Sequence, residues 1–118
     1  MSRENNIVQS ILEYLNSLPQ CVAEKVQGTA LSSGKADING CFKGRSFRIE
    51  VKTPDNGNKP SKKQNVNLRR WAAAGAVALV AYSLDDVKAV FSDKPIPTHY
   101  RKEYGKSMIA ELIGEFNV

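Results

Sequence analysis

Between Gly75 and Ser83 the chain reads Ala-Val-Ala-Leu-Val-Ala-Tyr, an apolar run with no polar interruption. A strand with one wet face alternates apolar and polar residues, so a run without alternation belongs to a strand covered on both faces. Covering both faces takes a layer on each side of a sheet, which points to an α/β layered domain. The run falls far short of the ~18 apolar residues of a membrane span. The start, Met-Ser-Arg-Glu-Asn-Asn, passes directly into an amphipathic pattern rather than a signal-peptide core. The expectation is a cytoplasmic protein with no membrane association. With 118 residues the chain is read as one domain, 1–118, large enough to build its core without disulfides. Cys21 and Cys41 have no Cys or His neighbours to form a zinc site and are expected as reduced core or near-core residues.

Around that strand the pattern orders itself. Ile7, Val8, Ile11, Leu12 and Leu15 give residues 3–18 one apolar helical stripe, with Ser2 as a cap and Pro19 as the stop. Residues 21–26 read as a strand, and the segment from Gly28 to Gly34 as a loop. Residues 36–42 and 46–52 are two strands about Lys43-Gly44-Arg45. In the second of them, Phe47, Ile49 and Val51 alternate with Arg48, Glu50 and Lys52. Thr53 to Pro60 is loop chemistry. Ser61-Lys62-Lys63-Gln64 is a capping box that opens a helix, and Gly75 is its C-terminal glycine. A short helix over 84–90 follows the apolar strand. Met108, Ile109, Leu112, Ile113 and Phe116 then predict a helix within a C-terminal extension, 94–118. The expected fold is a mixed sheet flanked by helices, in the order αβββαβα plus that helix. The apolar stripe of the extension fits either of two roles, closing the core or forming a dimer surface.

Hairpin register brings polar residues together. With Gly44 and Arg45 at the centre of a type II′ turn, Lys43 pairs with Ser46, Cys41 with Arg48, Asn39 with Glu50 and Asp37 with Lys52. Opposed and diagonal side chains share a face, so Asp37, Glu50 and Lys52 converge at one end of the hairpin. A slip of one residue would send Asp37 to the other face. Two carboxylates and a lysine on one face suit a divalent-metal phosphodiesterase site. Mg²⁺ takes one or two carboxylates plus waters and phosphate oxygens, and a neighbouring lysine stabilises developing charge. The same residues also fit a surface salt bridge beside an exposed Glu50, and a Glu-x-Lys tripeptide alone carries little weight.

Glu4 lies on the apolar stripe of the first helix, four and seven positions before Val8 and Ile11. It fits a role toward a cation or a role at the positive end of its own helix. Gln64 aligns with Leu68 and Trp71, so its amide either points inward or serves the cap. Trp71 and Tyr82 are expected in the core. His99, the single histidine, sits in a Pro-rich turn and is given no catalytic role.

The charge is concentrated. Residues 1–50, 51–75 and 76–118 carry net charges of +1, +5 and −1. Lys52, Lys59, Lys62, Lys63, Arg69 and Arg70 supply the central excess, opposed only by Asp55. A basic cluster of this kind is the footprint of a polyanion or a solvated face kept for solubility. Lys62 and Lys63 occupy the first helical turn, where the macrodipole disfavours cations and a bound phosphate would relieve the conflict.

Taken together, Glu4, Gly34-Lys35-Ala36-Asp37, Ile49-Glu50-Val51-Lys52, Ser61-Lys62-Lys63-Gln64 and Gly75 before a Val/Ala strand resemble the VRR-Nuc domain of the PD-(D/E)xK nuclease superfamily. The resemblance covers about residues 3–90. It implies a restriction-endonuclease-like core and a Mg²⁺- or Mn²⁺-dependent DNA nuclease. Asp37, Glu50 and the Val51 carbonyl would be metal ligands, Lys52 the catalytic lysine, Glu4 an accessory to the metal and Gln64 a brace. Lys59, Lys62, Lys63, Arg69 and Arg70 would meet the DNA. Ala36 stands where the superfamily name expects Pro. Stand-alone members of phage and bacterial type, some similar to four-way junction resolvases, imply branched DNA and a homodimer. A different class, a nucleic-acid-binding module that does not cut, would use the basic 51–75 segment alone and would have no use for carboxylates facing a phosphate backbone.

Overall fold

The apolar run is the centre of the sheet. A computed structural model describes residues 3–27, 34–54, 58–97, 100–104 and 108–113. Its elements are α1 (Arg3–Ser17), β1 (Cys21–Lys25), β2 (Ile38–Phe42), β3 (Arg45–Val51), α2 (Lys62–Ala73), β4 (Val77–Ala81), α3 (Leu84–Val90), β5 (Arg101–Tyr104) and β6 (Met108–Ile113). These strands form one mixed sheet in the order β1-β2-β3-β4-β6-β5. Only β3 and β4 are parallel, and α2 is the crossover that parallel neighbours require. Ser2, residues 28–33 of the loop expected over 28–34, Asp55, His99 and Phe116 lie outside the described residues.

Every residue of β4 is buried because helices cover both sides. Val8, Ile11 and Leu15 of α1 and Val87 and Val90 of α3 pack with Ile38, Phe47, Ile49, Val51, Val77, Leu79 and Ala81 on one face. Phe91 adds an aromatic cluster there, 4.7 Å from Phe47 and 5.8 Å from Phe42 between ring centroids. Leu68 and Ala72 of α2 meet Ala78, Val80 and Tyr82 on the other. Gly40 faces Phe47 across β2 and β3, and any Cβ there would strike the Phe47 ring and the Val22 carbonyl. The outer edge of β1 is partly closed by Asn16, whose carboxamide accepts from Ala23 N at 2.9 Å and donates to Ala23 O at 3.0 Å. That substitutes for a missing strand partner. No described helix is long and apolar enough to cross a membrane.

Two expectations change. Residues 108–113 form β6 instead of a helix and pair antiparallel with β4, Ala78 opposite Ile113 and Leu79 opposite Leu112. The cause is non-local: β4, buried on both faces, has a second row of backbone N–H and C=O groups beyond the row used by β3, and buried groups of this kind require partners. That demand outweighs a helical spacing with no cap to support it. Leu112 and Ile113, each 1% exposed, enter the two opposite core layers. Of the two roles open to the extension, its described residues fill that of core closure.

The hairpin also turns one residue earlier. Phe42 pairs with Arg45, so Lys43 and Gly44 are the central residues, at φ +50° and +85°. Positive φ at both positions is the type I′ pattern, which matches strand twist. Each β2 residue therefore meets a β3 partner two positions earlier than expected. Because the shift is even, no side chain changes face.

Candidate active site

The ladder ends at Ile38 opposite Ile49, and Asp37, one residue before it, lies beside Glu50 and Val51, where Lys52 was expected. Asp37 Oδ2 accepts from Val51 N at 2.8 Å, while its own carbonyl accepts from Val26 N at 2.8 Å. The loop residue is thus tied to both neighbouring strands. Gly34, three residues before Asp37, takes φ +84°, a backbone region that favours glycine, and packs against α2, where a Cβ would lie 3.2 Å from Lys63 Cβ. Val51 enters the site through its amide, a contact that the sequence pattern did not assign.

Glu50 is 1% exposed on the α2 side of β3. Its Oε2 accepts from Gln64 Nε2 at 3.0 Å and lies 3.5 Å from Lys52 Nζ. Its Oε1 has no hydrogen-bond partner and is the only such buried side-chain oxygen or nitrogen among the described residues. Burial, and next the nearby Asp37 charge, push the Glu50 carboxyl up to about 8 against the opposing pull of Lys52. The two carboxyls lie within hydrogen-bonding reach of each other. Two carboxylates this close need a proton or a cation between them.

Gln64 serves both of its expected roles. Its Oε1 accepts from Ser61 N at 2.8 Å, Ser61 Oγ accepts from Gln64 N at 3.2 Å, and the remaining NH₂ reaches Glu50. Gly75, at φ +104°, closes the same helix. Glu4 is half-exposed at the margin of the site. Its carboxyl is raised by burial and then by the Asp37 charge, with Lys52 opposing. Among the described residues no three His, Cys, Asp or Glu side chains are grouped to hold an ion. Among the described residues, the carboxylates brought together at this end of the hairpin are Asp37 and Glu50. Hard oxygens in that number fit Mg²⁺, which keeps several waters, and the unpartnered Oε1 fits a ligand atom.

Lys59, Lys62, Lys63, Arg69 and Arg70 are all exposed. None of them forms an ion pair with a described residue. The first turn of α2 contains no acid.

Trp71 and Cys41 depart from the core expected for them. Trp71 is 37% exposed, roughly 100° around the helix from buried Ala72, and Arg48 Cζ lies 3.4 Å from its ring centroid. Cys41 is exposed on the α2 side of β2, whereas Cys21 is half-buried on the other face as a near-core residue. Tyr82 is buried as expected. Arg48, two residues before Glu50 on the same face of β3, received no role in the sequence pattern, although that alternation already put it beside the site.

No protein-family model and no curated protein matches this chain.

Proposed function

We propose that this chain is a metal-dependent DNA nuclease of the kind the VRR-Nuc resemblance implies. The observation that carries the reading is Glu50: a carboxylate deep under α2, fixed through one oxygen by Gln64 and Lys52, with its other oxygen unpartnered beside Asp37. A purely structural salt bridge gives no reason to bury a second carboxylate next to the first, because burial of an unpaired charge is costly.

Asp37 and Glu50 would hold Mg²⁺ or Mn²⁺, with the Val51 carbonyl as the further ligand implied by the resemblance. When bound, such an ion supplies charge neutralisation at the phosphate and lowers the pKa of a coordinated water. Val51 N keeps one Asp37 oxygen oriented, and Gln64 does the same for Glu50. Lys52, 15% exposed, offers its ammonium to the negative charge that grows on a phosphate during hydrolysis. Glu4 adds negative field at the margin. Lys59, Lys62, Lys63, Arg69 and Arg70 attract the DNA backbone without reading sequence, which favours selection by DNA structure, with four-way junctions or flaps as the proposed substrates. A homodimer would place two such sites for paired cuts, and a cytoplasmic setting completes the proposal.

The exposed, unpaired basic side chains would also serve a binding module that does not cleave. Labelled branched, flapped and linear DNA, incubated with Mg²⁺, Mn²⁺ or EDTA, separates the two. The expected result is cleavage that EDTA stops and that Asp37→Asn and Glu50→Gln abolish. Cleavage at the wild-type rate by either variant removes the assigned site, and binding without a metal-dependent product leaves the binding module.

A further inference from the structure

The α2 side of β2 and β3 is only partly covered. Asn39 and Arg48 face each other directly across those strands. Beside them, Lys63, Asn67, Arg70 and Trp71 run along one flank of α2, at spacings of four, three and one residues. A hollow of about 260 Å³ lies between this flank and the strands, and an adjoining one of about 370 Å³ opens between α2 and Gly34; the two share Asn67 and Arg70. Neither lining contains an acid, and Lys35, Arg48, Lys62, Lys63 and Arg70 contribute cations. None of these cations is paired with a described carboxylate.

At the inner end of this groove Arg48 lies over Trp71, its Cζ 3.4 Å from the ring centroid. Arg48 Nη1 donates to Phe47 O at 2.7 Å and to Ser46 Oγ at 3.0 Å, which fixes the guanidinium without neutralising it. An indole and a guanidinium stacked at a surface, flanked by free cations and two carboxamides, match the chemistry of an unpaired nucleobase and its phosphates. Bases stack on aromatic rings and on arginine planes, and carboxamides can hydrogen-bond base edges. A protein partner bound through charge would call for acids on that partner, but it would not use the flat stack. The stack is also close to the carboxylates, because Arg48 and Glu50 are two residues apart on one face of β3, roughly 7 Å along the strand.

We propose that the Arg48–Trp71 stack is a platform for one unpaired DNA base near the phosphate to be cut, with Lys35, Lys63 and Arg70 on the adjoining phosphates and Asn39 and Asn67 at the base edge. This rests on the DNA reading above and goes beyond it by assigning a site to an unpaired nucleotide.

Trp71 is the only tryptophan, so its emission reports on this position alone. The full chain in EDTA, which prevents cleavage, is titrated with labelled oligothymidine and with a blunt duplex of equal length, following Trp emission and label anisotropy together. The expected result is saturable quenching by the single strand and little by the duplex. Trp71→Leu should weaken single-strand binding roughly tenfold, with Trp71→Phe retaining most of it. Arg70→Ala, at an exposed position, should weaken binding while the quenching at saturation persists. DNA binding by anisotropy with unmoved Trp emission overturns the platform and leaves the nuclease reading intact. Equal quenching by duplex overturns the preference for an unpaired base. Absence of binding to every DNA form overturns both readings.

Discussion

Gln64 Nε2 donates to Glu50 Oε2 at 3.0 Å while the other end of the same carboxamide caps α2 at Ser61 N. One side chain therefore couples the start of a helix to the orientation of a buried carboxylate. Gln64→Ala should lose the reciprocal half of the capping box, one hydrogen bond worth about 0.5–1.5 kcal/mol, while Ser61 Oγ still accepts from the backbone N of residue 64, and should free Glu50 to reorient. Gln64→Glu keeps an oxygen for Ser61 N but sets a second carboxylate against Glu50. It should be the less active of the two variants while retaining much of the cap. Thermal unfolding beside DNA cleavage distinguishes the effects, and equal activity of both variants with wild type would remove Gln64 from the site.

Glu50 predicts a specific pH dependence. Its carboxyl ordinarily titrates at 4.5 and is held near 8 in the folded chain. Below 4.5 the group is protonated folded or unfolded and contributes nothing. Between 4.5 and 8 the folded chain retains a proton that the unfolded chain has lost, so stability falls as pH rises, and above 8 the penalty is complete. The span is on the order of a few kcal/mol and belongs to the coupled pair with Asp37. Denaturation in EDTA at pH 5, 7 and 9 should show this decline, and Glu50→Gln should flatten it. Because a metal competes with the same proton, Mg²⁺ affinity should rise with pH and level off above 8.

The sequence was most legible where local signals agreed. The apolar β4 run, the Ser61–Gln64 box and Gly75 all appear where their chemistry put them. The hairpin turn was misplaced by one residue, yet the faces were right because the resulting slip moved each partner by two. The C-terminal strands were not legible, since Met108–Ile113 has helical spacing of its own and its strand state depends on the free edge of β4. Trp71 was misread for a related reason. Its position relative to Gln64 and Leu68 looks inward, but Ala72 sets the buried side and an arginine from another element covers the ring.

Gly40 offers a test of the packing beneath the site. A methyl group there would meet the Phe47 ring and the Val22 carbonyl at distances no real Cβ tolerates. Phe47 is fully buried and wedged against Phe91, so it cannot withdraw easily. Gly40→Ala should cost about 1–3 kcal/mol of stability through overpacking, read by urea denaturation. A neutral outcome would mean that β2 and β3 separate more readily than this register allows.

Lys52 and its basic neighbours should differ in kind. Lys52 is half-buried with its Nζ 3.5 Å from Glu50 Oε2, whereas Lys59, Lys62 and Arg69 are exposed and form no ion pair with a described residue. A phosphate contact at an exposed cation contributes affinity that weakens with salt, and each one removed should lower the slope of log K against log salt by about 1. Lys59→Ala, Lys62→Ala and Arg69→Ala should therefore bind DNA more weakly with a shallower salt dependence, while single-turnover cleavage at saturation stays near wild type. Lys52→Ala should do the reverse: near-normal binding in EDTA, with a turnover loss of about a hundredfold or more, the scale of removing one transition-state charge stabiliser. Were Lys52→Ala to lose affinity like the others and cleave normally once saturated, the ammonium would belong to the binding surface, and the carboxylate pair would be left without its charge partner in catalysis.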